Sequence, residues 1–236
     1  MEFPIRINKY VAHQGWASRR EADTLIEKGA VLVNGKPAEM GQKVNENDVV
    51  ELKGKTKDKK YYAYYKGRGV ITHSPAKGEV DIAMRLEKDY GMTDVHPVGR
   101  LDKDSEGLII LSNDGRITGP LLDPEADHEK VYDVQVDKVV TGILTNNFAK
   151  GVDIEGYMTK PAKAEKHPRN DKRVIITLTE GKKHQVRRMC AACGYQVQSL
   201  KRVRIMNIEL GELKPNQFRK INGPELKTFL SELDIK

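Results

Sequence analysis

His96-Pro97-Val98-Gly99-Arg100-Leu101-Asp102-Lys103-Asp104-Ser105-Glu106-Gly107, running into Leu108-Ile109-Ile110-Leu111, is the stretch around which the chain reads most clearly. Pro97, Gly99 and Gly107 mark an irregular loop, and the apolar run reads as a buried strand ending at the turn signal Asn113-Asp114-Gly115. A carboxylate, Asp102, and a guanidinium, Arg100, thus sit on a loop anchored by a rigid strand, which suits chemistry. Two plainer readings compete. One is a solvated charged turn, the ordinary fate of an acidic loop. The other is calcium, because Asp102, Asp104, Glu106, Gly107 and Ile109 fall at the first, third, fifth, sixth and eighth places of an EF-hand loop. The twelfth place is Asn113, which cannot supply the bidentate carboxylate, and Pro97 and Gly99 oppose an incoming helix. Calcium fails.

Outward from that loop, the chain has 236 residues, enough for one large domain and a small one. Its formal net charge is +7, an excess that suits a polyanionic partner, although many soluble proteins are as basic. No apolar run approaches membrane-spanning length, and Met1-Glu2-Phe3-Pro4 carries no signal-peptide pattern, so a cytoplasmic protein without membrane contact is expected. The two cysteines, Cys190 and Cys193, fit a reducing compartment. No second pair exists to complete a Cys-only zinc site, and their helical context favours a packing role.

Residues 1–53 read as a separate small module. Ile7, Tyr10 and Val11 share a helical stripe, with Arg6 and Lys9 on the other side. Ser18-Arg19-Arg20-Glu21 is a capping box that starts a second helix, and Val31-Leu32-Val33, the hairpin signal Asn34-Gly35 and Asp48 to Leu52 supply short strands. Arg19 and Arg20 occupy the first turn of that helix, where the helix dipole disfavours cations. A phosphate would reverse the balance. Residues 54–60 contain no apolar side chain and read as a flexible basic linker to a domain over 61–236.

In that second part, Tyr61 to Tyr65 reads as a strand ending at Lys66-Gly67-Arg68-Gly69. Asp81 to Gly91 reads as a helix, and Lys130, Tyr132, Val134 and Val136 share one face of a strand. Further helices are expected at 141–150 and 224–233, with an interrupted, mobile hairpin at 152–172. From Gly181 to Arg204 there are seven cations and no acid: Lys182, Lys183, Arg187, Arg188, Lys201, Arg202 and Arg204. Arg202 and Arg204, two apart, are expected on one strand face. Such clustering reads as a phosphate track.

The order Gly99-Arg100-Leu101-Asp102 followed by Gly107-Leu108-Ile109-Ile110-Leu111-Ser112-Asn113-Asp114-Gly115 resembles the signature loop of the RNA pseudouridine synthases of the RsuA/RluF type. Residues 1–53 resemble the S4 RNA-binding module. The resemblance implies an α+β protein: a small S4 domain of two helices and short strands, then a mixed, mainly antiparallel sheet flanked by helices. It implies that Asp102 is the catalytic group and that Arg100 enters the RNA where the target base leaves. Tyr132, in a Lys-x-Tyr strand led by Lys130, would stack on that base. Arg187, closing His184-Gln185-Val186-Arg187, would pair with Asp102, which would stay ionised beside a guanidinium. Arg188 points about a hundred degrees away on the same helix, and His184 is left structural. Lys66 and Gly69 match the family's Lys-Pro-x-Gly turn; Gly67 departs from it.

Arg100, Lys66, Lys130, Arg6, Lys9, Arg19, Arg20, Lys182, Lys183, Arg188, Arg202 and Arg204 are therefore the expected RNA contacts. Isomerising uridine to pseudouridine conserves every atom, so no cofactor or metal is expected. The runs Asp127 to Lys130, Arg187 to Cys190, Gly194-Tyr195 and Arg204 to Asn207 look most like the RluF branch, which implies a stem-loop of 23S ribosomal RNA as partner. The 16S-directed RsuA branch is the alternative enzyme, and a non-catalytic S4-type assembly factor the alternative class. A monomer is the expected state.

Overall fold

The computed structural model describes residues 2–54 and 58–235. A two-residue strand, β1 (Ile5–Arg6), leads into α1 (Ile7–His13), whose Ile7 and Val11 are fully buried. The Ser18 hydroxyl accepts from the Glu21 N–H while the Glu21 carboxylate accepts from the Ser18 N–H, and this reciprocal cap starts α2 (Arg19–Glu27). The hairpin turn at Asn34-Gly35 joins β2 (Val31–Val33) to β3 (Lys36–Pro37). Next, β4 (Lys43–Val44) returns to pair with β1, and β5 (Val50–Leu52) completes a three-stranded sheet of order β3-β2-β5. Ile7, Val11, Ala22, Ile26, Val31 and Val44 form one apolar cluster of their own.

Of the stretch expected as a flexible linker, residues 55–57 lie outside the described residues. The part that follows is pinned. The Asn113 side chain accepts from the Lys60 N–H at 2.8 Å and donates to the Asp58 carbonyl at 2.9 Å, and the Ser112 hydroxyl donates to the Lys60 carbonyl. Charge and lack of apolar side chains gave no hint of this, because the anchor is a buried amide more than fifty positions downstream.

The larger part begins with β6 (Tyr61–Lys66) and α3 (Ile82–Tyr90), which is capped by the Asp81 carboxylate and stopped by a left-handed Gly91. Then come β7 (His96–Val98), β8 (Glu106–Ser112), a single 3-10 turn at Gly115–Ile117 and α4 (Thr118–Leu122). They are followed by β9 (Lys130–Val136), α5 (Gly142–Lys150), β10 (Lys163–Lys166) and β11 (Arg173–Leu178). The chain closes with α6 (Gln185–Ala192), β12 (Val197–Ile205), β13 (Ile208–Glu209), β14 (Phe218–Lys220) and α7 (Gly223–Glu232). Among the described residues these strands build a nine-stranded sheet of order β10-β11-β9-β12-β8-β6-β14, with β13 on β12 and β7 on β8. Every pairing is antiparallel except β12 with β8.

The apolar run of β8 is buried on both faces. Leu108 and Ile110 pack with Tyr61, Ala63 and Tyr65 toward Phe229 of α7 and Leu233 just after it, while Ile109 and Leu111 pack with Tyr64 toward Ile82 and Leu86 of α3. Burying each such side chain contributes roughly 1.5–3 kcal/mol, so β8 is among the most firmly seated strands. Farther along the sheet, Tyr132, Val134, Ile176 and Leu178 pack against Leu144 and Phe148 of α5 and Val186 and Met189 of α6. On one edge β8 pairs with β12 at its start and with β7 at its end. The loop 99–105 leaves β7 and re-enters β8 beside β12.

Candidate active site

The loop that carries Asp102 is held from beneath by its own carbonyl groups. The Arg202 guanidinium donates to the Arg100 carbonyl at 3.3 Å, and the Thr72 hydroxyl to that of Leu101 at 2.6 Å. The Ser105 N–H closes a turn onto the Asp102 carbonyl. The Gly69 N–H and the Lys66 ammonium reach the Lys103 carbonyl, Arg187 the Asp104 carbonyl at 3.2 Å, and Lys66 again the Ser105 carbonyl at 2.7 Å. Six consecutive acceptors, 100 to 105, are thus satisfied, three of the residues that satisfy them being cations. Leu101 plugs into the core shared with α6. The backbone is fixed, and the Asp102 side chain projects.

It projects into a cleft of about 640 Å³, whose walls include Arg100, Lys130, Tyr132, Leu178, Lys182, Lys183, His184, Arg187, Leu200, Arg202 and Ile205. Lys130 and Tyr132 lie on one face of β9, opposite Ile205 and Arg202 of β12. Tyr132 is buried, with its flank in the core. The register between β9 and β12 shifts between Arg202 and Arg204, where Val203 is the extra residue. That bulge brings Ile205 onto the cleft face.

The bulge also separates Arg202 from Arg204, which the two-residue spacing put on one face. Arg202 is buried and donates to the Leu108 and Arg100 carbonyls; Arg204 turns outward to Glu129 and the Met206 carbonyl. The expected phosphate track divides accordingly. Lys182 and Lys183 are exposed at the cleft, Lys182 lying over the Tyr157 ring, while Arg188 is tied to Glu155 and the Ile154 carbonyl. Lys66, expected at the RNA, is fully buried beneath the loop. Burial pushes its ammonium down to about 8, against the opposing pull of Asp102, Asp104 and Glu106. Lys130 is half-buried, donates to the His128 carbonyl, and is pushed down by burial and by Arg202.

Arg187 lines the cleft as expected, but its guanidinium faces Asp104 and Ser105 and not the Asp102 carboxylate. The group that meets Asp102 is His184, whose Nδ1 lies 3.1 Å from Oδ2. His184, structural by the sequence pattern alone, is thus the side chain at the carboxylate, and the local pattern carries no signal for Thr72, whose hydroxyl meets the distant Leu101 backbone. Arg100 is exposed, and among the described residues its side chain has no hydrogen-bond partner. At Gly67 the N–H donates to the Asn216 side chain at 3.2 Å, a bond the family's usual proline lacks.

In the N-terminal module Arg6, Lys9, Arg19 and Arg20 are all exposed. Lys9 and Arg19 border a second cleft of about 380 Å³, whose far wall is His96, Pro97 and residues 112–116 and 118–120. Glycines make the close fit between the two parts: a Cβ at Gly115 would lie 2.7 Å from the Ala12 carbonyl.

Comparison with known proteins fits this geometry. The RNA pseudouridylate synthase family profile matches residues 60–192, and the S4 domain profile matches residues 5–50. The chain is 39% identical over 228 residues to the dual-specificity RNA pseudouridine synthase RluF of Escherichia coli K12, covering 94% of this chain and 77% of that protein. It is 34% identical to the ribosomal large subunit pseudouridine synthase B of Bacillus subtilis, covering 97% of both. A crystal structure of a pseudouridylate synthase superposes with a TM-score of 0.70 at 27% identity, over 97% of this chain and 99% of that one. An S4 domain followed by a mixed sheet whose signature loop presents one aspartate to a basic cleft identifies the chain as a member of the RsuA/RluF-type RNA pseudouridine synthases.

Proposed function

We propose that this enzyme isomerises a specific uridine of large-subunit (23S) ribosomal RNA, with Asp102 as its catalytic group. The observation that carries the reading is the loop at 100–105, whose carbonyls are all engaged while the Asp102 carboxylate is presented to a basic cleft. The target nucleotide leaves its stack at a cost of about a few kcal/mol, and Arg100, unpartnered at the rim, occupies the vacated place. Asp102 attacks C1′ or removes the 2′ proton; in either route the C1′–N1 bond breaks. The uracil turns beneath Tyr132 and C5 bonds to C1′, displacing the Asp102 oxygen on the first route or with Asp102 returning the proton to C2′ on the second. The C5 proton is then given up as N1 takes one. Atoms and electrons balance with no cofactor or metal. Arg187 acts on Asp102 through the loop backbone.

The large-subunit target is supported by the name of the Bacillus subtilis relative. Residues 1–53 serve as the RNA-gripping domain, 54–60 as the link and 61–236 as the catalytic domain, in a cytoplasmic monomer that takes a structured stem-loop. A 16S target and a purely binding role are the alternatives that the test separates. Pseudouridine mapping across all rRNA from cells with and without the protein should show at least one 23S position lost on deletion. Re-expression should restore it, and Asp102→Asn should not, its rate falling about a thousandfold or more. A missing 16S position would move the target; unchanged rRNA would leave only the binding role.

A further inference from the structure

His184 occupies an unusual place for its residue type. It is the N-cap of α6 yet has φ +54°, the left-handed region that favours glycine and, after it, asparagine. N-cap positions usually go to side chains that accept from the first turn, but His184 makes no capping hydrogen bond. The turn into α6 is closed by others: the Gln185 N–H donates to the Lys182 carbonyl, and the Gln185 side chain accepts from the Lys182 N–H at 2.8 Å. The imidazole is therefore not needed to start the helix. It is directed across the cleft, with Nδ1 3.1 Å from the Asp102 Oδ2.

From this geometry we infer that His184 is a positioning residue for the catalytic carboxylate, holding Asp102 at one oxygen so that the other faces the sugar of the incoming uridine. This rests on the reading of Asp102 given above. As the carboxylate accepts, Nδ1 carries the proton. Arg100, Lys130, Lys182, Lys183, Arg187 and Arg202 face the same cleft, but no hydrogen bond or ion pair joins any of them to the Asp102 carboxylate. The arginine expected there is engaged with the Asp104 carbonyl. The loop backbone fixes where Asp102 starts; His184 fixes which way its side chain points.

Backbone strain and ring chemistry are separated by two substitutions. His184→Gly accepts the left-handed backbone but removes the donor, whereas His184→Asn tolerates that backbone and keeps an N–H near the position of Nδ1. The probe is 23S rRNA from cells lacking the enzyme, read by single-turnover pseudouridine formation and by filter binding. His184→Gly should lower the single-turnover rate constant about tenfold, the loss expected for one partly exposed charge-assisted bond. RNA affinity should stay within about twofold, and His184→Asn should recover most of the rate. A His184→Gly enzyme as fast as wild type would overturn the inference, as would equal losses in both variants or a loss confined to affinity. Failure of the underlying reading looks different: Asp102→Asn would then retain its rate.

Discussion

At the scale of single residues, a cation's function here follows from the acceptor it finds. Lys66 carries the same charge as Lys183, but it lies beneath the signature loop with carbonyls of Gly67, Lys103 and Ser105 around its ammonium. Burial holds its ammonium at about 8, below the ordinary 10.5. Below pH 8 both folded and unfolded chains keep the proton, so the whole penalty of burying the charge is present. Between 8 and 10.5 only the unfolded chain keeps it, and folded stability rises with pH. Wild type should therefore gain about 3 kcal/mol relative to Lys66→Met between pH 7.5 and 10.5. Urea denaturation at stepped pH measures this, and a flat difference would refute it. At neutral pH the variant should also lose activity, since Met cannot hold the Ser105 carbonyl.

Among the elements, β8 and β12 decide where the site forms. Gly107 sits at φ +110°, and a Cβ there would come within 2.3 Å of the Arg202 carbonyl. A side chain cannot be accommodated without parting the parallel pair that carries the loop on one strand and Arg202 on the other. Gly107→Ala should cost about 2–4 kcal/mol and, because the loop hangs from this junction, should reduce turnover beyond what unfolding explains. Thermal unfolding alongside single-turnover rates separates the two effects. The bulge at Val203 belongs to this scale as well, since it places Ile205 on the cleft floor and sends Arg204 to Glu129.

For the whole molecule, the question is how a small basic module and a basic cleft share one RNA. Arg19 and Arg20 stand exposed in the first turn of α2, and the backbone N–H groups of a helix start favour a phosphate. Replacing both with alanine should weaken RNA binding and reduce the slope of log affinity against log salt by about 2, one for each lost phosphate contact. The single-turnover rate at saturating RNA should stay unchanged. A reduced rate at saturation would mean that the module acts on the chemistry and not only on binding. A salt titration of binding, paired with rate measurements, decides between them.

Much of this was legible in the linear chain, and what was legible is local. The capping box at Ser18, the Asn34-Gly35 turn, the buried run of β8, the alternation of β9 and the helix bounded by Asp81 and Gly91 are each specified by residues a few positions apart. The signature around Asp102 is likewise contiguous, so the family and its central carboxylate were readable before any coordinate. The partners were not. That Lys66, Arg187 and Arg202 support a loop, that His184 meets Asp102, and that Thr72 clamps Leu101 all depend on which distant acceptors the sheet brings together. A buried carbonyl must be satisfied by whatever donor the fold delivers, and one extra residue in a strand reverses every face beyond it. Neither fact leaves a mark in the local pattern.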